Sequence, residues 1–301
     1  MSRMPHTRIP RIIYQTTHMP LYIVPDLLGE HARGFERHIF NDSQARSFLH
    51  DHIGENASMA YDVLPGAHKA DLWRYAILYV RGGIYLDIKT ISAAPLADIF
   101  PEHNELPTLY TVRSARGWVH NGIIAAPPKH SIMKGLLDHM LRHSIQAAVT
   151  SYFCSHFMLT LSHFFGKEVG AAAAGSSGYG HGGVFVHGSE RLVLYDERCS
   201  KSGHSRHSKE CQRISNGWRD RYGRCCNIYQ GGPWNVSELM NDSMHEHVLF
   251  HTRDPGYPSK WLSKLNHTRN ASAQFQLLAP GDSGQQDTSD NYVSSIVVRA
   301  Q

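Results

Sequence analysis

The chain has 301 residues, a net charge of +4, 41% hydrophobic residues and 19% charged residues. These proportions are ordinary for a folded soluble protein, and the length suits one large domain or two small ones. The positive charge is small and its residues are scattered apart from the 201–224 region, so the composition argues against nucleic acid as a partner.

The sequence contains no apolar run of signal-peptide length and none near the roughly 20 residues of a membrane span. We therefore expect a soluble protein of the cytoplasm, or of a Golgi-type lumen if an anchor has been removed. An odd number of cysteines without regular spacing favours reduced thiols; they are Cys154, Cys199, Cys211, Cys225 and Cys226. Without a targeting signal, six Asn-x-Ser/Thr triplets are interpreted as chance matches.

The first predicted elements alternate between strand and helix. Short apolar runs predict strands over Arg11–Gln15 and Phe35–Phe40. Asn41 supplies N-cap chemistry for a helix that reaches about His52. A further helix over Ala67–Val80 is indicated by apolar residues at helical spacing.

Two glycines separate the second predicted helix from the next predicted strand. Gly82 and Gly83 end the second helix, where left-handed backbone angles are needed, and Ile84–Leu86 follows as a short buried strand. Downstream, the patterns predict strands over Leu109–Val112, Gly122–Ala126 and Val248–His251 and helices over Ile132–His143 and Ser151–Phe165. This alternation predicts an α/β domain with a mostly parallel central sheet flanked by helices.

The composition of the later segments suggests where the folded domain ends. Residues 166–183 are rich in Gly, Ala and Ser, which suits a loop or lid over a cleft. Residues 199–226 are polar, basic and carry histidines, with little periodicity. We predict one domain over residues 1–268 and a polar, flexible tail over residues 269–301, with 281–291 disordered.

The residues that carry chemistry lie in one segment. Asp71 and Arg74 are three apart on the second helix, so both side chains project from one face. Asp87 follows a short apolar strand directly, and ligands of α/β sheets bind beyond the carboxyl ends of strands. Two carboxylates and a guanidinium in one crevice suit a polyhydroxylated ligand that bears phosphates. The alternative is a surface ion pair and a turn.

The whole pattern resembles the glycosyltransferase family with an Asp-x-Asp sugar-binding region (family 32-like), which includes Och-type mannosyltransferases and the glucosyltransferase domains of clostridial toxins. The resemblance covers roughly residues 8–135. Its most specific part is Ala70–Tyr75 (ADLWRY) followed by Gly82–Asp87 (GGIYLD). The segments Ile9–Thr16 and Asn121–Pro127 resemble the opening strand and a later strand of the family.

The resemblance implies a GT-A-like nucleotide-diphospho-sugar transferase fold and a retaining transfer of a hexose to a hydroxyl of a glycan or glycoconjugate. The donor would be a UDP- or GDP-sugar. The resemblance further implies donor-binding roles for Asp71, Arg74, Tyr85, Asp87, Tyr14, Gln15, Thr16 and Asn121. We expect Asp87, Lys89 and Arg74 to be the catalytic residues.

Lys89 departs from the family pattern, because the resemblance leads one to expect a metal-binding Asp at this position. The ammonium of Lys89 can neutralise the leaving diphosphate itself, in which case no metal is needed. Alternatively, Asp87 and a distant group such as His251 hold Mn²⁺ or Mg²⁺ while Lys89 turns away. A third reading is a degenerate, non-catalytic sugar or nucleotide-sugar binding protein.

Other interpretations compete at single positions. His251 could equally be a hydrogen-bonded histidine at a strand end, and Asn121 could cap a turn. Cysteines and histidines between residues 199 and 226 raise a zinc hypothesis, but adjacent Cys225 and Cys226 do not have the usual ligand spacing. An unrelated α/β nucleotide enzyme is disfavoured, since no Gly-rich phosphate loop follows the first strand.

Overall fold

The structure of the chain is a computed structural model, which describes residues 7–17, 26–64, 66–113, 118–149, 153–166, 169, 183–199, 224–229, 248–254 and 296–299. The strands are β1 (Ile12–Thr16), β2 (Glu36–Phe40), β3 (Gly83–Leu86), β4 (Ile91–Ser92), β5 (Thr108–Arg113), β6 (Val119–Ala126), β7 (Gly183–His187), β8 (Glu190–Cys199), β9 (Arg224–Tyr229), β10 (Val248–Asp254) and β11 (Ile296–Arg299). The helices are α1 (Asp42–His52), α2 (Glu55–Val63), α3 (Gly66–Arg81), α4 (Leu96–Ile99), α5 (Ser131–Val149) and α6 (Phe153–Phe165), with a 3-10 helix at Gly29–Ala32.

Local sequence signals account for the boundaries of α1 and α3. Asn41 caps α1 in a reciprocal capping box, in which its side chain accepts from the Gln44 N–H and the Gln44 side chain accepts from the Asn41 N–H. Helix α3 ends where Gly82 and Gly83 adopt positive φ angles of 65° and 106°. At Gly83 a side chain would also collide with the Ile12 carbonyl oxygen, 2.9 Å from the position of a Cβ. Both predicted helix boundaries are confirmed.

The described strands form one mixed sheet in the order β11-β2-β1-β3-β6-β5-β8-β9-β10-β4, with β7 paired to β8. Parallel pairs join β1 to β2, β1 to β3 and β5 to β8. Strand β6 runs antiparallel to both β3 and β5. The predicted α/β class is confirmed. Fewer strand pairs are parallel than expected, because the short connection between β5 and β6 makes these two strands antiparallel.

The central strands β3 and β6 bury both faces, and each residue's face follows the two-residue period of a strand. On β3, Tyr85 faces the larger core cluster, which contains apolar residues of α1, α2, α3, α5 and α6, whereas Ile84 and Leu86 face a second cluster with α4 and the 3-10 helix. On β6, Ile124 and Ile123 divide in the same way. Helix α3 therefore covers the face of β3 from which Tyr85 projects.

Several elements were not predicted. They are α2, α4, β4, β7, β8, β9 and β11. Strand β11 lies in the segment predicted as a polar tail and pairs antiparallel with β2, so residues 296–299 belong to the sheet. The domain boundary at residue 268 stays a prediction. The predicted lid over residues 166–183 and the predicted disorder over residues 281–291 lie almost entirely outside the described residues.

None of the helices in the described part of the chain is long and apolar enough to cross a bilayer.

Candidate active site

Polar side chains meet at one edge of the sheet, where β1 and β3 end and β6 begins. Because β1 and β3 are parallel, their carboxyl ends share this edge, and antiparallel β6 brings its first residues to the same place. Asp87 follows β3 directly, and its backbone N–H donates to the Gly122 carbonyl at 2.7 Å. Helix α3 lies above the edge and contributes Asp71 and Arg74.

Arg74 lies at the centre of this cluster. Its Nη2 is 3.4 Å from Asp71 Oδ1 and 3.6 Å from Asp87 Oδ1, so one guanidinium joins two carboxylates. Its Nη1 donates to the Asn121 carbonyl, and its carbon Cζ lies 4.2 Å from the centre of the Tyr85 ring. Burial alone would lower the pKa of Arg74, but Tyr85 and the two carboxylates outweigh burial and raise the pKa. Arg74 therefore remains a cation.

Asp71 is a buried carboxylate held by three neighbours. Its Oδ1 accepts from Asn121 Nδ2 at 3.3 Å, and its Oδ2 lies 3.3 Å from His68 Nδ1. Burial would raise the pKa of Asp71, but Arg74, His68 and Asn121 together lower it below the ordinary value. Asp71 is therefore ionised, and together with Asp87 it holds Arg74 Nη2 in place.

Asp87 is the open member of the cluster. Its side chain is 44% exposed, whereas those of Asp71 and Arg74 are 5% and 6% exposed. Tyr85 donates its hydroxyl to Asp87 Oδ1 at 3.0 Å, and Thr16 lies 3.4 Å from the same hydroxyl. Burial raises the pKa of Tyr85, so its hydroxyl keeps its proton and remains a donor. The arrangement holds an oriented carboxylate towards solvent above buried charges.

Gln15, near the end of β1, contacts the backbone of Asp87. Gln15 Nε2 lies 3.4 Å from the Asp87 carbonyl oxygen, and Gln15 Oε1 accepts from Arg37 Nε at 2.6 Å. Tyr14, by contrast, is a core residue that packs against Trp73 at 6.4 Å between ring centres. Burial raises the pKa of Tyr14 to about 12. Of the three predicted residues at this strand end, Gln15 and Thr16 reach the site cluster.

Lys89 lies in the turn after β3, and the backbone of His251 lies close to that turn. Lys89 is half-buried in the turn after β3, which closes when the Thr90 N–H donates to the Asp87 carbonyl at 2.8 Å. The backbone of His251 pairs with Ile91 of β4, just beyond this turn, but its side chain lies outside the described residues. No group of three or more His, Cys, Asp or Glu in the described part of the chain is placed to hold a metal. Protein ligands alone therefore do not form a closed metal cage there.

Several site residues were missed in the sequence. His68 precedes Asp71 by one helical turn, a spacing that could have marked it. His120 and Glu197 form a pair at the same sheet edge, with His120 Nδ1 at 3.3 Å from Glu197 Oε1. The zinc hypothesis for residues 199–226 falls mainly outside the described residues, although Cys199 and Cys226 are register partners on β8 and β9.

Comparisons with known proteins agree with this geometry. Residues 24–106 match the family model described as "Glycosyltransferase sugar-binding region containing DXD motif", a span that contains Asp71, Arg74 and Asp87. The predicted family resemblance is confirmed. An uncharacterized glycosyltransferase of Acanthamoeba polyphaga mimivirus is 29% identical over 152 residues, which cover 48% of this chain and 60% of that protein.

Two further relatives have related names. An initiation-specific alpha-1,6-mannosyltransferase of Schizosaccharomyces pombe is 32% identical over 133 residues, which cover 41% of this chain and 32% of that protein. Among solved structures, the PaToxG glycosyltransferase is similar with a TM-score of 0.43 and 15% identity, over 56% of this chain and 75% of that one. The chain thus spans less than two thirds of the length of either curated relative, and the family match supports glycosyl transfer in general.

Proposed function

We propose that the chain transfers a hexose from a nucleoside diphosphate sugar to a hydroxyl group of a glycan or glycoconjugate, with retention of the anomeric configuration. The observation that carries the proposal is the cluster of Asp71, Arg74 and Asp87 at the sheet edge, inside the matched sugar-binding region. Carboxylate oxygens accept hydrogen bonds from sugar and ribose hydroxyls, which is the chemistry that a donor sugar requires.

The exposed Asp87 is the residue placed to touch the donor. Arg74 and Tyr85 both contact its Oδ1, so the carboxylate enters the reaction already oriented. Asp71 lies deeper and is almost fully enclosed. We propose that Asp71 positions Arg74, and that both reach the sugar only where a hydroxyl enters between α3 and β6.

The proposed reaction breaks the bond between the anomeric carbon and the diphosphate and forms a bond from the same carbon to the acceptor oxygen. The diphosphate leaves with the bonding electron pair as an oxocarbenium-like transition state forms. An oxygen of the leaving diphosphate takes the acceptor's proton on the same face. We name no protein nucleophile, and the protein's contribution is to position the donor and to stabilise the departing charge.

Two sources of positive charge are available for the departing diphosphate. Lys89 follows Asp87 by two residues, so its ammonium is a candidate to neutralise the phosphate oxygens directly. A divalent cation such as Mn²⁺ or Mg²⁺, if bound, would supply the same stabilisation as a Lewis acid. In that second arrangement Asp87, with a group such as His251, is the predicted protein ligand of the ion.

The name of one relative, an alpha-1,6-mannosyltransferase, makes mannose the first hexose to test. The experiment measures nucleoside diphosphate release from a panel of UDP- and GDP-sugars, with Mn²⁺ and again with chelator. Release with one donor and a supplied hydroxyl acceptor supports the proposal, and survival in chelator assigns the charge to Lys89. Thermal stabilisation by the donor without any release would contradict enzymatic transfer and favour a binding protein.

A further inference from the structure

A half-buried histidine lies beside the proposed donor site on the neighbouring strand. His120 lies at the start of β6, and Glu197 lies near the end of β8. Strand β5 pairs antiparallel with β6 and parallel with β8, so the start of β6 and the end of β8 meet at the edge that carries Asp87. There His120 Nδ1 lies 3.3 Å from Glu197 Oε1, and the side chain of Glu197 is only 7% exposed.

This pairing decides which ring nitrogen of His120 is open. An ionised carboxylate can only accept hydrogen bonds, so Glu197 assigns the ring proton to Nδ1. In the neutral ring, Nε2 then carries a lone pair. Nε2 is buried and has no hydrogen-bond partner among the described residues. Leaving such an atom without a partner is unfavourable, so we expect a group other than the described residues to satisfy it.

The lone pair of His120 borders the same small space as the Asp87 carboxylate. A Cβ placed on Gly122 would lie 2.7 Å from His120 Nε2 and 2.5 Å from Asp87 Oδ2. Gly122 therefore keeps open a cradle between a nitrogen and an oxygen that any other residue would fill. The second carboxylate oxygen, Oδ1, is already engaged by Tyr85 and Arg74, which leaves Oδ2 turned towards the cradle.

The cradle has the chemistry of a partial metal site. A histidine that binds metals generally donates its other ring N–H to a carboxylate, as His120 does to Glu197. Metal–nitrogen and metal–oxygen bonds are about 2.0–2.2 Å long, and the two atoms lie 2.7 and 2.5 Å from one shared point beside Gly122. A small movement of the two side chains therefore lets one ion contact both atoms. With only two protein ligands, diphosphate and water oxygens must complete the coordination shell, as they do for many phosphate-bound ions.

We propose that His120 Nε2 and Asp87 Oδ2 together bind a divalent transition-metal ion that is completed by the donor's diphosphate. His120, on the adjacent strand β6, thereby serves as the metal ligand that Lys89 does not provide. Glu197 is the positioning residue of His120. The inference rests on the proposed function because the diphosphate supplies the remaining ligands. An imidazole ligand favours a transition metal over Mg²⁺.

The test detects the ligand directly, using the full chain, Mn²⁺ and UDP or GDP. Electron spin echo modulation from a histidine nitrogen is expected for the wild type and is expected to be absent in His120→Gln. The Mn²⁺ affinity measured with the nucleotide present should fall at least about tenfold in His120→Gln, the scale on which ligands and their supports act. Glu197→Gln should keep the nitrogen signal and weaken affinity by about tenfold.

Matched variants separate the possible failures. His50→Gln changes an exposed histidine on α1 and should leave Mn²⁺ affinity unchanged. A nitrogen signal that survives His120→Gln and disappears in His251→Gln would overturn the assignment in favour of His251. Thermal unfolding shows whether each variant is folded, and Glu197→Gln, which is nearly isosteric, provides an independent perturbation if His120→Gln is not.

The wild type also distinguishes this inference from the proposed function. Nucleotide binding that is indifferent to Mn²⁺ and chelator would overturn the metal site while leaving the donor site intact. Mn²⁺ binding with a nitrogen signal but without affinity for UDP or GDP would support the ligand pair and contradict the proposed function. Binding of neither would overturn both.

Discussion

Replacing Asp71 by Asn tests whether the buried charge cluster stabilises the fold. The substitution keeps the shape of the side chain but removes the negative charge that lies 3.4 Å from Arg74 Nη2. Arg74 would then be a buried cation whose remaining carboxylate, Asp87, is 44% exposed and screened by solvent. Removing one partner of a buried ion pair costs about 3–5 kcal/mol.

We expect a value near the lower end, about 3 kcal/mol, because the amide oxygen can still accept from Asn121 and Arg74. The free energy of unfolding is measured by urea titration followed by tryptophan fluorescence. A loss of this size should lower the melting temperature by roughly 5–10 °C in a chain of this length. Asp138→Asn, which breaks an exposed pair with Lys134 on α5, is the control and should cost less than about 0.5 kcal/mol.

The pH dependence gives the same prediction a second readout. The folded-state pKa of Asp71 is lowered, so its carboxylate contributes stability above the unfolded pKa of about 3.9. That contribution is lost as the pH falls through the lower folded-state pKa. Wild type and Asp71→Asn should therefore converge in stability only in strong acid. An Asp71→Asn variant within about 1 kcal/mol of the wild type at neutral pH would refute the reasoning about this cluster.

Three further predictions concern the surroundings of the site. Gly122→Ala places a Cβ 2.5 Å from Asp87 Oδ2 and displaces that side chain, so donor affinity measured by calorimetry should fall at least about tenfold; unchanged affinity would contradict the tight contact. Trp73→Ala empties a fully buried core position and should cost about 3–5 kcal/mol in urea unfolding, and a cost below about 1 kcal/mol would argue against this packing. Burial lowers the pKa of His130 to about 4, and its Nδ1 accepts the Ile132 N–H. Because the unfolded chain binds the proton more readily, stability should rise with pH between about 4 and 6.5, by up to about 3 kcal/mol. His130→Asn should remove that dependence, and a wild-type unfolding free energy that is flat over this range would be the contrary result.

The cluster of Asp71, Arg74 and Asp87 could be predicted because local sequence signals mark these residues. The capping box at Asn41, the helical spacing of Asp71 and Arg74 and the glycines at 82 and 83 all act within a few residues. Such features are set by backbone geometry and by adjacent side chains. The position of Asp87 after a short apolar strand belongs to the same class of signal.

The second half of the sheet could not be predicted in this way. Strands β8 and β9 carry polar residues and cysteines. Strand β8 forms a local hairpin with β7, but its other partner, β5, lies far away in the sequence. Strand β11 likewise depends on its pairing with β2. Context of this kind overrides local strand propensity, since pairing and burial decide which segments extend.

The same reason explains why the sequence did not reveal His120 and Glu197. Neither residue belongs to a recognisable spacing, and they approach only because β5 lies between β6 and β8 in the sheet. Both residues are far from Asp87 in the sequence, and only the folding of the sheet brings them to the same edge as Asp87. Tyr14 was predicted to be a site residue from its position in the sequence, and in the structure it packs in the larger core cluster.

We propose that Asp87 presents its carboxylate to a nucleotide-sugar donor, and donor turnover by an Asp87→Asn variant tests this role. Nucleoside diphosphate release is measured with the best donor of the panel for wild type, Asp87→Asn and the exposed control Asp138→Asn. We expect kcat/KM to fall about a hundredfold or more in Asp87→Asn, because the donor loses its oriented contact. The control should behave as wild type. Turnover by Asp87→Asn equal to that of the control would contradict the assignment of the donor site.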